Sequence, residues 1–167
     1  MAVFNLAIKE SIASDSRIEA KSAPRLTGVA SKQPETSYTQ EEVLARFQFT
    51  NPIVKRFMKA PHIAKRHLVL PELNSAGVMP EESPSELIQK FATYGVRYGS
   101  EAVISAVEHA GLHLNQIDFI CAVTSTGFLV PGLSSRIIKL LELRSDIQKS
   151  DIVGMACNAV VISYSGK

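Results

Sequence analysis

The stretch IDFICAVTSTGFLVPGLSSRIIKLLELRSDIQKSDIVGM, Ile117 to Met155, decides the fold. It opens on a run of strand length, Ile117 to Val123, apolar but for Asp118, crosses a Gly/Pro-marked loop, TSTGFLVPG, and enters a helix, LSSRIIKLLEL. A last strand, DIVGM, begins at Asp151. Strands that are apolar throughout belong to sheets buried on both faces, so this succession predicts an α/β unit with a parallel or mixed sheet covered by helices.

Working upstream, Ser83, Pro84 and Glu86 mark a helix start, with a capping box and proline at the first helical position, and Gly111 is a natural stop. One long helix is expected between them. Its apolar residues Leu87, Ile88, Phe91, Val103, Ala106, Val107 and Ala110 recur at helical spacings, while Gly95 and Gly99 either allow close packing or weaken its middle. Before it, HIAKRHLVL reads as extended, Pro52 to Lys59 as a helix ending ahead of Pro61, and Thr39 as the cap of another helix with Glu42 as its reciprocal partner. A short strand is expected around Leu26 to Ala30, followed by a polar linker from Ser31 to Ser37. Residues 1 to 21 read as an arm, with Phe4, Leu6 and Ile8 alternating as in a strand.

Composition restricts the function classes. The 167 residues carry a formal net charge of +2, with 46% hydrophobic and 20% charged residues, as in an ordinary soluble globular unit. A near-neutral balance exerts no global pull on nucleic acid or acidic membranes, and dinucleotide, P-loop and nucleic-acid motifs are absent from the sequence. No apolar run approaches membrane-spanning length, and the first twenty residues carry Glu10, Asp15 and Glu19 where a leader would be apolar. Two cysteines, Cys121 and Cys157, make no disulfide framework, so a reducing, cytoplasmic compartment is expected. The four histidines, His62, His67, His109 and His113, do not form a metal set, because Gly111 ends the helix between the last two and no cysteine or carboxylate pattern completes them. No metal is expected.

Downstream, the last strand leads into Cys157 through DIVGMACNA, Asp151 to Ala159. A cysteine where a strand hands over to a helix sits at unpaired N–H groups and a partial positive charge, which favour thiolate and can hold an oxyanion. The plainer reading is a small core residue like Cys121.

Val123 to Arg144, VTSTGFLVPGLSSRIIKLLELR, followed by DIVGMACNA, resembles the type III polyketide synthases, the chalcone-synthase-like branch of the thiolase-fold condensing enzymes. The similarity runs back through HIAKRHLVLPE, GVMPEESP and the long helix, roughly from residue 24 to 159. Its wording is closer to bacterial-type enzymes of the 3,5-dihydroxyphenylacetyl-CoA synthase group than to plant chalcone synthases. The resemblance implies the N-terminal half of a thiolase-like layered fold, with a thiolase-like domain over 22–159 and an atypical tail over 160–167. It implies acyl transfer without a cofactor. An acyl-CoA loads the family nucleophile, matched by Cys157, and malonyl-CoA loses carbon dioxide to extend the chain. Ser125 and Thr126 match residues lining the pocket, although hydroxyls at a strand end also satisfy local backbone groups. Val130 matches the residue that reaches into the partner's pocket in family homodimers.

For the CoA phosphates the resemblance points to the basic cluster Lys55, Arg56, Lys59, Lys65 and Arg66. Arg56 falls on a matching position; the two flanking family positions are Ile53 and Ala60 here, with Lys55 and Lys59 as near-register substitutes. A solvated helix face explains the same charges.

The pattern breaks after Ala159. Family members bring a histidine and an asparagine from the second half of the chain, none of the four histidines here matches, and VVISYSGK favours a strand where the family opens a helix. The expectation is a truncated or aberrantly joined product, inactive alone, that either forms homo-oligomers or needs a missing C-terminal half. A ketosynthase III-type fragment and a non-catalytic dimerisation or regulatory module are the other readings.

Overall fold

The computed structural model describes residues 2–3, 25–59 and 62–155. In chain order these form β1 (Ala2–Val3), β2 (Ser31–Lys32), β3 (Ser37–Thr39), α1 (Gln40–Arg46), α2 (Pro52–Met58), β4 (Lys65–His67), α3 (Pro84–Lys90), a π turn (Phe91–Gly95), α4 (Val96–His109), a 3₁₀ turn (Leu114–Gln116), β5 (Phe119–Thr124), α5 (Leu133–Leu140) and β6 (Gln148–Val153). They divide into two units, one drawn from 1–32 and 85–167, the other Gln33–Pro84.

In the smaller unit, the polar residues flanking each helix set its start. Thr39 and Glu42 form the expected reciprocal cap: the Glu42 amide donates to Thr39 Oγ1 at 3.2 Å, and the Thr39 amide donates to Glu42 Oε2 at 2.6 Å. Asn51 caps α2 through the Ile53 amide at 2.8 Å, with Pro52 at the first helical position. The segment HIAKRHLVL is a strand only over Lys65–His67, where it pairs antiparallel with Ser37–Thr39. From this strand the Arg66 side chain reaches both helices, donating from Nε to Gln40 Oε1 at 2.9 Å and from Nη2 to Met58 Sδ at 3.9 Å. The neighbouring His67 ring faces the Pro34 carbonyl through Nδ1 at 2.7 Å. A carbonyl only accepts, so Nδ1 carries the proton.

In the larger unit, Leu26 to Ala30 is not a strand; β2 follows it and pairs antiparallel with β1. The reason lies in its approach to α4. A Cβ on Gly28 would collide with the Ala106 carbonyl oxygen, and His109 Nδ1 lies 2.9 Å from the Val29 carbonyl, so this backbone is committed to the helix rather than to a ladder.

The long helix runs unbroken from Pro84 to His109, but the π turn divides it. A π turn holds more residues than an α turn, so spacings counted across it do not follow the α period. Leu87 and Ile88, expected on the core face, are exposed, whereas Ala102, Val103, Ala106 and Val107 are buried. The helix stops as expected at Gly111, where φ is +69°, with the Leu112 amide bonded to Val107 O and the Gly111 amide to Glu108 O, both at 3.0 Å.

The deciding stretch folds as a parallel crossover: β5 pairs with β6 from Phe119↔Gln148 to Thr124↔Val153, and α5 packs on both strands and on α4. Residues Ile117, Ile120, Ala122, Leu133, Ile137 and Leu143 join the buried side of α4 as one core. The last strand begins three residues before Asp151, and its polar positions Gln148, Lys149 and Asp151 are exposed. The expectation of strands apolar throughout therefore fails for β6, because the register with β5 extends the ladder into polar sequence. At the amino ends of both strands, Arg144 donates to Asp118 at 2.8 Å, to Asp146 at 2.9 Å and to the Asn115 carbonyl at 3.0 Å.

Replacing Thr39 with alanine is expected to lower the opening free energy of α1 by about 1 kcal/mol, read by amide hydrogen exchange. The same cap depends on pH. The Thr39 amide, then its hydroxyl partner, holds the Glu42 carboxyl below the usual carboxylate range, so the cap is at full strength above pH ~4.3 and weakens as pH falls through the depressed value.

Candidate active site

Two parallel strands that end side by side make a ledge at their carboxyl ends, the usual place for ligands in open α/β sheets. Here β5 ends at Thr124 and β6 at Val153, opposite one another. The Gly154 amide donates to the Thr124 carbonyl at 3.0 Å, which carries the pairing one residue further, and φ at Gly154 is +76°, a conformation suited to glycine. The chain beyond each strand supplies the candidate residues.

After β5, Ser125 and Thr126 are both exposed on this ledge. The hydroxyl of Thr124 donates to the Gly127 carbonyl at 3.2 Å and closes the turn, so the local backbone is served by Thr124 rather than by the pair itself. Gly127 is buried, and a Cβ there would occupy the space of the Phe91 ring. Phe128 is exposed again, and Val130, before a cis bond to Pro131, is 95% exposed. After β6, Met155 is exposed. Cys157 and the tail over 160–167 lie outside the described residues, as do most of the 1–21 arm and Ala60.

Helix α5 begins at Gly132, which has no side chain to cap it. Asp151 takes that role from the middle of β6: its Oδ1 accepts from the Ser134 amide at 2.9 Å, and its Oδ2 accepts from the Ser134 hydroxyl. A Cβ on Gly132 would stand 2.5 Å from Asp151 Oδ2, so the glycine makes room for the carboxylate; its own φ of −61° requires no glycine. Sequence reading missed Asp151 and Phe91 as organising residues. The available signal was a glycine at a helix start with serines at the first turn and no acidic residue nearby in sequence.

The other cysteine is unsuited to nucleophilic work. Burial, then the charge of Asp151, pushes the Cys121 thiol up, against a smaller lowering from a Ser150 hydrogen bond.

In the smaller unit, Lys55, Arg56 and Lys59 are all exposed on α2, and Lys65 is exposed on β4. Arg66 is the exception in the basic cluster, because its guanidinium is bonded to Gln40 and Met58. At helical spacing Lys55, Lys59 and Arg56 share one arc, while Val54 and Met58 lie on the half-buried side and Ile53 and Phe57 form an exposed apolar flank. Among the described residues no cluster of His, Cys, Asp and Glu could hold a metal ion, and no helix is long and apolar enough to cross a membrane.

No family model matches the chain. Over 136 residues it is 39% identical to the 3,5-dihydroxyphenylacetyl-CoA synthase of Streptomyces toyocaensis, and over 135 residues 37% identical to that of Amycolatopsis orientalis. Both matches take in 81% of this chain but only 35% and 36% of the relatives, so the chain spans about a third of the length of the curated relatives it matches. Among solved structures, PKS-I from the brown alga Ectocarpus siliculosus gives a TM-score of 0.66 at 26% identity, covering 83% of this chain and 41% of that one. The C-terminal type III polyketide synthase domain of a Dictyostelium type I/III hybrid gives 0.69 at 23% identity, with the same coverage. CsyB complexed with CoA-SH gives 0.65 at 22% identity, covering 83% of this chain and 40% of that one. The thiolase-like α/β fold that the sequence implied is the fold these structures share with the chain.

Cys121 is expected to react with iodoacetamide at neutral pH more slowly than an unstructured thiol. Removing the charge in Asp151→Asn should speed its alkylation by roughly twofold or more, followed by peptide mass spectrometry. An unchanged rate would show that Asp151 does not act on this thiol.

Proposed function

We propose that this chain, which belongs to the type III polyketide synthases over about a third of their length, accepts acyl groups from CoA thioesters on Cys157 for extension by malonyl-CoA. The observation that carries the reading is the shared carboxyl edge of β5 and β6, with Ser125 and Thr126 following one strand and Gly154 and Met155 leading toward Cys157 from the other. The Cys157 thiolate attacks the thioester carbonyl, and the CoA thiolate leaves, taking up the proton released by the cysteine. Small hydroxylated side chains at 125 and 126 leave room for the bound acyl chain. Malonyl-CoA then loses carbon dioxide, and the resulting carbanion attacks the new thioester, forming the carbon–carbon bond and releasing the Cys157 thiolate.

Lys55, Arg56 and Lys59 are the proposed holders of the CoA phosphates. Their ammonium and guanidinium groups share one arc of α2, a spacing that suits several oxyanions at once. Arg66 is left out of that set, being bound within its own unit. The reaction draws on CoA thioesters alone and needs no further cofactor. None of His62, His67, His109 and His113 matches the histidine that the resemblance assigns to decarboxylation, so the residues named here are proposed for acyl loading and not for the decarboxylation itself.

Val130, with Phe128 beside it in the same loop, is the proposed contact to a second copy. Large apolar side chains left this exposed favour association. Val130→Asp is expected to weaken self-association roughly tenfold, measured by light scattering across a dilution series. Equal association of the two proteins would remove Val130 from that role.

Intact mass spectrometry of the chain with a panel of acyl-CoA starters tests the reading. An acyl adduct is expected on the wild type and on Cys121→Ala, and not on Cys157→Ala. Absence of any adduct on folded wild-type protein would sink the reading and favour a non-catalytic interaction module.

A further inference from the structure

The π turn has a specific product. It places the half-buried Phe91 ring between two glycines, one in its own turn and one in the loop after β5. A Cβ on Gly95 would stand 2.9 Å from ring atom Cε2, and a Cβ on Gly127 would fall among the ring atoms themselves. Neither residue has a positive φ; among the described glycines only Gly77, Gly111 and Gly154 do. Both are therefore glycine for space and not for backbone conformation. The ring fills the slot from below, since it also packs against the core of α4, β5 and α5.

Gly127 is the one buried residue in the otherwise exposed run from Ser125 to Phe128, so this part of the loop rests on the Phe91 ring there, and Leu129 packs on the core beyond it. Its other fastening is the Thr124 hydroxyl on the Gly127 carbonyl, at the same residue. The height of Ser125 and Thr126 above the ledge thus follows from where Gly127 meets the ring. An insertion of one residue into the helix, frequent at functional sites, is what brings the ring there.

We propose that Phe91 is a positioning residue for acyl loading: its ring seats the Ser125–Gly127 turn, and its bulk sets how large an acyl chain that turn admits. The selectivity half rests on the acyl-accepting function proposed above; the seating half rests on the described geometry alone. Phe91 touches no reacting atom in this scheme. It acts through the loop.

A rescue experiment separates the two halves. Gly127→Ala adds a methyl group where the ring lies, and is expected to speed amide exchange over residues 124–130 by roughly tenfold, as overpacking weakens local structure. Trimming the ring in the same chain, Gly127→Ala with Phe91→Leu, should bring exchange back to within about twofold of wild type. Recovery of the fold in the double variant counts as the same rescue if Gly127→Ala alone does not fold. A double variant no better than the single one overturns the seating role. In parallel, Phe91→Leu alone should change the ratio of long to short acyl groups loaded on Cys157 by about threefold or more in favour of long ones. An unchanged ratio overturns the selectivity half. If the wild type loads no acyl group, the proposed function fails and takes the selectivity half with it, while the exchange measurement still decides whether Phe91 seats the loop.

Discussion

The carboxylate of Asp151 is the interaction on which the crossover depends. A parallel strand pair needs an intervening helix laid along it, and that helix exposes its first amides exactly where the chain turns back. Gly132 at the cap position has no side chain to accept from them, and Asp151 on the neighbouring strand accepts from the Ser134 amide and the Ser134 hydroxyl instead. One side chain thus fixes the start of α5 against the middle of β6. Because β6 is also in register with β5, the loop from Ser125 to Gly132 is held at both ends. The cost of that arrangement falls on position 132, which must stay without a side chain.

The sequence was most readable where local chemistry decides the structure. The reciprocal cap at Thr39, the proline-started α2, the glycine stop at 111 and the apolar run of β5 are short-range features, and each formed where expected. What escaped notice depends on contacts between distant residues. Leu87 and Ile88 fit a helical stripe yet are exposed, and the π turn that interrupts the α period after them cannot be seen in a spacing count. Leu26 to Ala30 looked like a strand until Gly28 was found against the α4 backbone. Arg66 looked like a free cation because its acceptors, Gln40 and Met58, are 26 and 8 residues away. At the candidate site, hydroxyls and basic residues were legible by type and spacing, whereas Asp151 and Phe91 act only through the folded register.

The smaller unit shows how one side chain can sort charges by use. Arg66 spends its donors on α1 and α2, which leaves the cations of α2 facing outward as a separate set. Lys55, Arg56 and Lys59 then stand beside an apolar flank formed by Ile53 and Phe57. Cations beside an apolar flank make a surface of mixed character, with charge and greasy area within reach of one another. The charge that caps α5 acts on Cys121 as well, adding to burial in pushing that thiol up.

The two ends of the β5–β6 ladder are fastened by different forces. At the amino end, Arg144 bridges Asp118 and Asp146 on an exposed surface, where the attraction is open to screening by dissolved ions. At the carboxyl end, an aromatic ring in a glycine slot supports the loop, and packing of that kind does not weaken with ionic strength. Concentrated salt therefore loosens the end remote from the candidate site while leaving the ledge intact, and a kosmotropic salt tightens the ledge further. The ladder is thus fastened by charge at one end and by shape at the other.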